Sequence, residues 1–94
     1  MLNSKNSGDN KEMINSRHDF LNKGYFEPLS KEICQVINSL NVNNILDVGC
    51  GEGYYDRAIL NQKLYNIVGI DISKEACLKA AKLSKDILYI VSSS

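Results

Sequence analysis

The stretch ILDVGCGEGYYDRAIL, residues 45–60, sets glycines at 49, 51 and 53 between a nearly continuous apolar run and a run with helical spacing. Ile45-Leu46-Asp47-Val48 reads as a short strand of the kind buried on both faces, and residues 54–61 read as a helix. Glycine permits positive φ and lets a ligand touch the main chain, so Gly49, Gly51 and Gly53 form a close-approach surface at the carboxyl end of a strand. That is where open α/β sheets bind ligands. One glycine is enough to turn the chain; three ask for a further reason.

Outward from this loop the hydrophobic period alternates. Downstream, residues 66–71 read as a second buried strand, residues 74–84 as a helix behind a Ser73 cap, and residues 87–91 as a third strand. Upstream, Pro28 opens a helix in which Leu29, Ile33, Val36, Ile37 and Leu40 recur at helical spacing up to the Asn-rich turn 41–44. Residues 12–23 carry Met13, Ile14, Phe20 and Leu21 on one helical stripe, with Asp9 or Asn10 as cap and Gly24 as stop. In the order α-α-β-α-β-α-β the crossovers make the strands parallel and right-handed, which predicts a partial doubly wound α/β sheet, Rossmann-like, with three strands and flanking helices. Residues 1–10 have linker composition and read as a flexible lead-in. Residues 11–94 then form the front half of a larger domain, because three parallel strands leave long edges and too few helices to cover both faces.

Composition narrows the function classes. The 94 residues are 44% hydrophobic and 23% charged, with no apolar run near the roughly 20 residues a membrane helix needs. No membrane span is expected, and the polar first ten residues lack the apolar core of a secretory signal, so the expected address is the cytoplasm. Eleven basic residues balance eleven acidic ones, which is not the electrostatic footprint of a nucleic-acid-binding module. Cys34, Cys50 and Cys77 are widely separated and form no C-x-x-C pair, so they read as reduced packing thiols, with no metal site.

The loop discriminates between ligands. The dinucleotide fingerprint G-x-G-x-x-G puts its last glycine three residues beyond the second; here the interval is two. Asp47 before the loop and Glu52 within it are poorly placed for phosphate charges, and suit a cationic sulfonium and an ammonium better. S-adenosylmethionine is such a ligand. Asp71, ending the second strand 22 residues after Gly49, sits near the separation at which this architecture places an acid on ribose hydroxyls. The alternative, an N-cap role for Asp71, is weakened because Ser73 is better placed to cap.

The ordered set of strand, Asp47, three glycines, helix, second strand and Asp71 resembles motif I and the following acidic strand end of the class I S-adenosylmethionine-dependent methyltransferases. With GDNKEMINSRHDFLNKGYFEPL upstream and GIDISKEACLKAAK downstream, the chain looks like the bacterial 23S rRNA guanine-N1 methyltransferases. The resemblance implies a cofactor site of Asp47, Gly49, Gly51, Glu52, Gly53, Asp71 and Ile72, with Gly51 and Glu52 on the methionine part and Asp71 on the ribose. Phe26, where the family often has Tyr, either closes over the cofactor or packs as a core aromatic beside Pro28. Arg17 and His18 either line the cofactor or RNA entrance or, for His18, carry an idle exposed imidazole; Ser92 and Ser93 fall where an adenine-side loop begins. The family's four-cysteine zinc module and the guanine-receiving half have no counterpart in the sequence, so ribosomal RNA is an expected partner only through parts absent from these residues. The resemblance thus implies the N-terminal, cofactor-binding half of the catalytic domain, inactive alone, with no residue assigned as catalytic. A non-catalytic binding or truncated interaction fragment is the alternative, and a fragment of an NAD-dependent oxidoreductase is a further one that the glycine spacing disfavours.

Overall fold

The computed structural model describes residues 10–92; the lead-in expected over residues 1–10 lies outside them except for Asn10, as do Ser93 and Ser94. The elements run α1 Lys11–Leu21, α2 Glu27–Ser39, β1 Asn44–Val48, α3 Tyr54–Gln62, β2 Asn66–Asp71, α4 Lys74–Leu83 and β3 Leu88–Val91. The expected order is reproduced, with element ends displaced by no more than two residues. Of the two candidate caps for α1, Asn10 is the one used: its side-chain oxygen accepts from the Met13 N–H at 2.8 Å. Ser73 caps α4 in the same way, accepting from the Ala76 N–H at 3.1 Å.

The three strands pair in parallel in the order β1-β2-β3. Two right-handed crossovers stepping in the same direction put α3 and α4 on the same face of the sheet. Helix α2 packs on α3, and α1 on α4. The core on that face joins Cys34, Ile59, Tyr65, Ile67 and Ile87, with Ile33, Ile37, Ile45 and Tyr89 packed around them. A second buried group, Ile14 with Ala76, Cys77 and Ala80, belongs to α1 and α4.

Two expectations about facing are corrected. The strands are not buried on both faces: Leu46 and Val48 of β1 are 60% and 73% exposed, and Leu88 and Ile90 of β3 are 61% and 41% exposed. Side chains alternate along a strand, and with the helices gathered on one face these residues have no covering layer among the described residues. In α2 the inward stripe is Ser30, Ile33, Cys34 and Ile37, while Leu29, Val36 and Leu40 are about half exposed. The small Ser30 and Cys34 let α2 approach α3 closely, so they take the buried positions that the larger apolar residues were expected to fill.

Candidate functional site

Between β1 and α3 the chain passes through Gly49 at φ 79°, Gly51 at 60° and Gly53 at 84°, three left-handed residues in five positions. A side chain at 49 or 51 would be strained at that φ, yet a Cβ built there meets nothing within 4 Å, so the flank of the loop is open. Gly53 differs, because a Cβ there would come 2.4 Å from the Tyr89 hydroxyl. The loop is therefore glycine for two reasons: backbone geometry at 49 and 51, and in addition close packing at 53.

The loop is fastened to β2 at its carboxyl end. The N–H groups of Gly49 and Cys50 both donate to the Ile70 carbonyl, at 2.7 and 3.0 Å. The Asp71 carboxylate accepts from the Gly51 N–H at 2.8 Å with one oxygen and from the Ser73 N–H at 2.8 Å with the other. Two backbone donors thus aim Asp71 across the loop, and each of its oxygens keeps a second lone pair for another donor. Ile72, beside it, is 46% exposed.

Glu52 departs from the expected acidic rim. Its side chain is 1% exposed and lies between Arg57, whose guanidinium donates to both carboxylate oxygens at 2.8 and 3.0 Å, and the Nδ1 of His18. An ionised carboxylate buried to this extent needs such partners, so the loop's acid turns inward to an ion-pair cluster. His18 accordingly ties α1 to the loop and is not idle. Phe26 belongs to an aromatic cluster at the start of α2, its ring edge-on to Phe20 at 5.7 Å. Next to it, Glu27 lines a cavity of about 420 Å³ together with Tyr54 and Arg57.

Asp56, Tyr89 and Arg57, none of which the sequence singled out, complete the site. Asp56, in the first turn of α3, is fully buried and accepts from the Tyr89 hydroxyl at 3.2 Å. Asp47 lines the same cavity as Asp56. Arg57 holds Glu52. A period-based reading assigns Asp56 to an exposed helix start, and only the strand register reveals otherwise. The Cys50 thiol is pushed up to about 12, first by burial and then by the negative charge of Asp56, so it stays protonated and inert. Among the described residues no helix is long and apolar enough to cross a membrane, and no cluster of three or more His, Cys, Asp or Glu could hold a metal ion.

A model of the family described as a methyltransferase domain matches residues 45–91, the stretch from β1 to β3. Over 76 residues the chain is 37% identical to YxjB of Bacillus subtilis strain 168, provisionally named a 23S rRNA (guanine-N(1)-)-methyltransferase, covering 72% of this chain and 27% of that protein. The solved structure of the plantazolicin methyltransferase BpumL in complex with SAH superposes on 86% of this chain and 34% of its own, with 31% identity and a TM-score of 0.64. A Methanococcus maripaludis protein, mmp1179, shares the fold over 90% of this chain at 23% identity and a TM-score of 0.69. The chain spans about a quarter to a third of the lengths of the first two relatives, 27% and 34%.

Proposed function

The chain belongs to the methyltransferase domain family, and from that premise we propose that it is the cofactor-binding half, residues 11–94, of an S-adenosylmethionine-dependent 23S rRNA guanine-N1 methyltransferase. The observation that carries the cofactor reading is the fastening of Gly51 to Asp71: a main chain bare of side chains, held open beside a carboxylate that retains free lone pairs. These residues fit the donor. The open flank at Gly49 and Gly51 admits a ligand against the backbone, and Asp71 can take hydroxyl donors on its unused lone pairs. Asp47, at the strand end before the loop, offers a carboxylate that suits the positive part of such a ligand. Glu52 acts through position: pinned by Arg57 and His18, it fixes the loop's middle against α3 and α1. The methyl donor supplies an activated methyl group for in-line displacement. This chain's task is to bind and orient, which is where the protein's share of such a transfer lies. The proton-accepting role toward guanine is assigned to none of its residues.

Support for the RNA class comes from the similarity to YxjB. A second acceptor class, a modified peptide, is favoured by the likeness to BpumL, which covers more of the chain at lower identity. Calorimetry with S-adenosylhomocysteine, and with NAD as the control, tests the cofactor reading: a saturable heat with the first and none with the second is expected, and the reverse sinks it. Fusing the chain to the remaining length of the YxjB type and assaying methyl transfer to 23S rRNA against an azole peptide separates the acceptors.

A further inference from the structure

Asp47, Gly69 and Tyr89 are register partners across the three strands, so they form one row on the helix-covered face of the sheet. Gly69 leaves the middle of that row empty. A Cβ there would come 2.5 Å from the Tyr89 ring and 2.9 Å from the Cys50 sulfur, so the ring lies over the glycine. Its hydroxyl then meets Asp56, which descends from α3 onto the same row and is 0% exposed. Tyr89 serves one oxygen of Asp56. The other, Oδ1, is buried with no hydrogen-bond partner among the described residues. Both acids line a cavity of about 230 Å³ whose remaining walls include Ile33, Ile37 and Ile59.

Two carboxyl groups in one cavity with apolar walls resist ionising together, and a proton kept on Asp56 turns its orphaned oxygen into a donor. The titratable groups facing Asp56 are Asp47 from β1, Cys50 from the loop, Tyr89 from β3 and Arg57 from its own helix. Of these Arg57 alone is a cation, and its guanidinium is held by Glu52. We propose that Asp56 is a positioning residue that holds Asp47 through one shared proton, and that a cation arriving at Asp47 releases this proton to solvent. Burial pushes the Asp56 carboxyl up to about 8, reinforced by the hydrogen bond and charge of Asp47 and opposed by Tyr89 and Arg57. Binding of a positive ligand near neutral pH is then linked to deprotonation, one carboxyl becoming carboxylate and the proton passing to buffer.

This inference rests on the cofactor reading, in which the sulfonium of S-adenosylmethionine carries a charge that the thioether of S-adenosylhomocysteine lacks. The test is calorimetry of the full chain near neutral pH in two buffers of different ionisation enthalpy. S-adenosylmethionine is expected to release on the order of half a proton per site, more than S-adenosylhomocysteine does, and to bind several-fold tighter as pH rises from about 6 to 8.5. Asp56→Asn, which keeps a donor toward Asp47, is expected to bind both ligands while losing the release and the pH slope. Equal heats in the two buffers for the unaltered chain, or release retained in Asp56→Asn, overturn the proposal while leaving the cofactor reading intact; absence of binding by either ligand sinks the cofactor reading instead. A ligand-free measurement decides the shared proton separately. The Asp56 carboxyl carbon in ¹³C-labelled protein, assigned by its loss in Asp56→Asn, should titrate above about pH 6, and a midpoint in the ordinary carboxylate range, about 4, overturns it.

Discussion

Gly51 carries a positive φ, an open flank and a backbone N–H bound to Asp71, and a branched side chain conflicts with the first two at once. Gly51→Val is expected to abolish S-adenosylhomocysteine binding in calorimetry, while Cys50→Ser, one residue away, leaves it nearly intact because that thiol is protonated and inert. Asp71→Ala strands the N–H groups of Gly51 and Ser73 and removes the acceptor proposed for ribose, so affinity should fall by roughly 1–3 kcal/mol, about 5- to 150-fold. Asp56 imposes a pH dependence on stability. Its carboxyl is raised from an ordinary 3.8 to about 8, so between those values the folded chain holds more protons than the unfolded one. That contribution to stability falls as pH rises through this window and levels off above it. Asp56→Asn should therefore raise the melting temperature near pH 8 by about 4–8 °C for each kcal/mol recovered, and gain little near pH 4, as thermal denaturation at both values will show. At this scale the sequence disclosed the loop and Asp71, because glycine spacing and strand-end acids are local signals. Asp56, Arg57 and Tyr89 were hidden because their importance is created by partners up to 33 residues away.

Among the elements, α1 meets the glycine loop through His18. His18 meets Glu52, Glu52 meets Arg57, and a helix from the start of the chain is thereby joined to the first turn of α3. Removing the middle charge leaves Arg57 facing a neutral group in a largely dry site. Glu52→Gln is expected to destabilise the chain by about 3 kcal/mol in urea unfolding. His18→Ala should cost less, and its mark should be faster amide hydrogen exchange in α1 with little change in the strands. The order of helices and strands was legible because the hydrophobic period switches between helical spacing and short apolar runs at each boundary. Which side of α2 faces inward was not. Leu29, Val36 and Leu40 make a credible stripe on their own, and only the presence of α3 selects the side bearing Ser30 and Cys34.

For the whole molecule, the dominant feature is a sheet covered on one face. Leu46, Val48, Leu88 and Ile90 lie open on the other, and an apolar surface of this kind attracts hydrophobic dyes and other chains. The 94-residue chain should bind ANS and self-associate at high concentration, and Leu46→Lys with Val48→Lys should suppress both in fluorescence and sedimentation measurements. The parallel, helix-crossed layout was readable from element order, but its one-sidedness was not, since strands rich in apolar residues read the same whether one face or both are covered. The bond from Tyr89 to Asp56 bears on how the molecule is made. The two residues are 33 positions apart, so at about 5–20 residues per second of synthesis the hydroxyl follows its acceptor from the ribosome by about 2–7 s. During that interval the glycine turn already exists as chain while the tyrosine that packs behind it does not, and its final shape must wait for the third strand to dock.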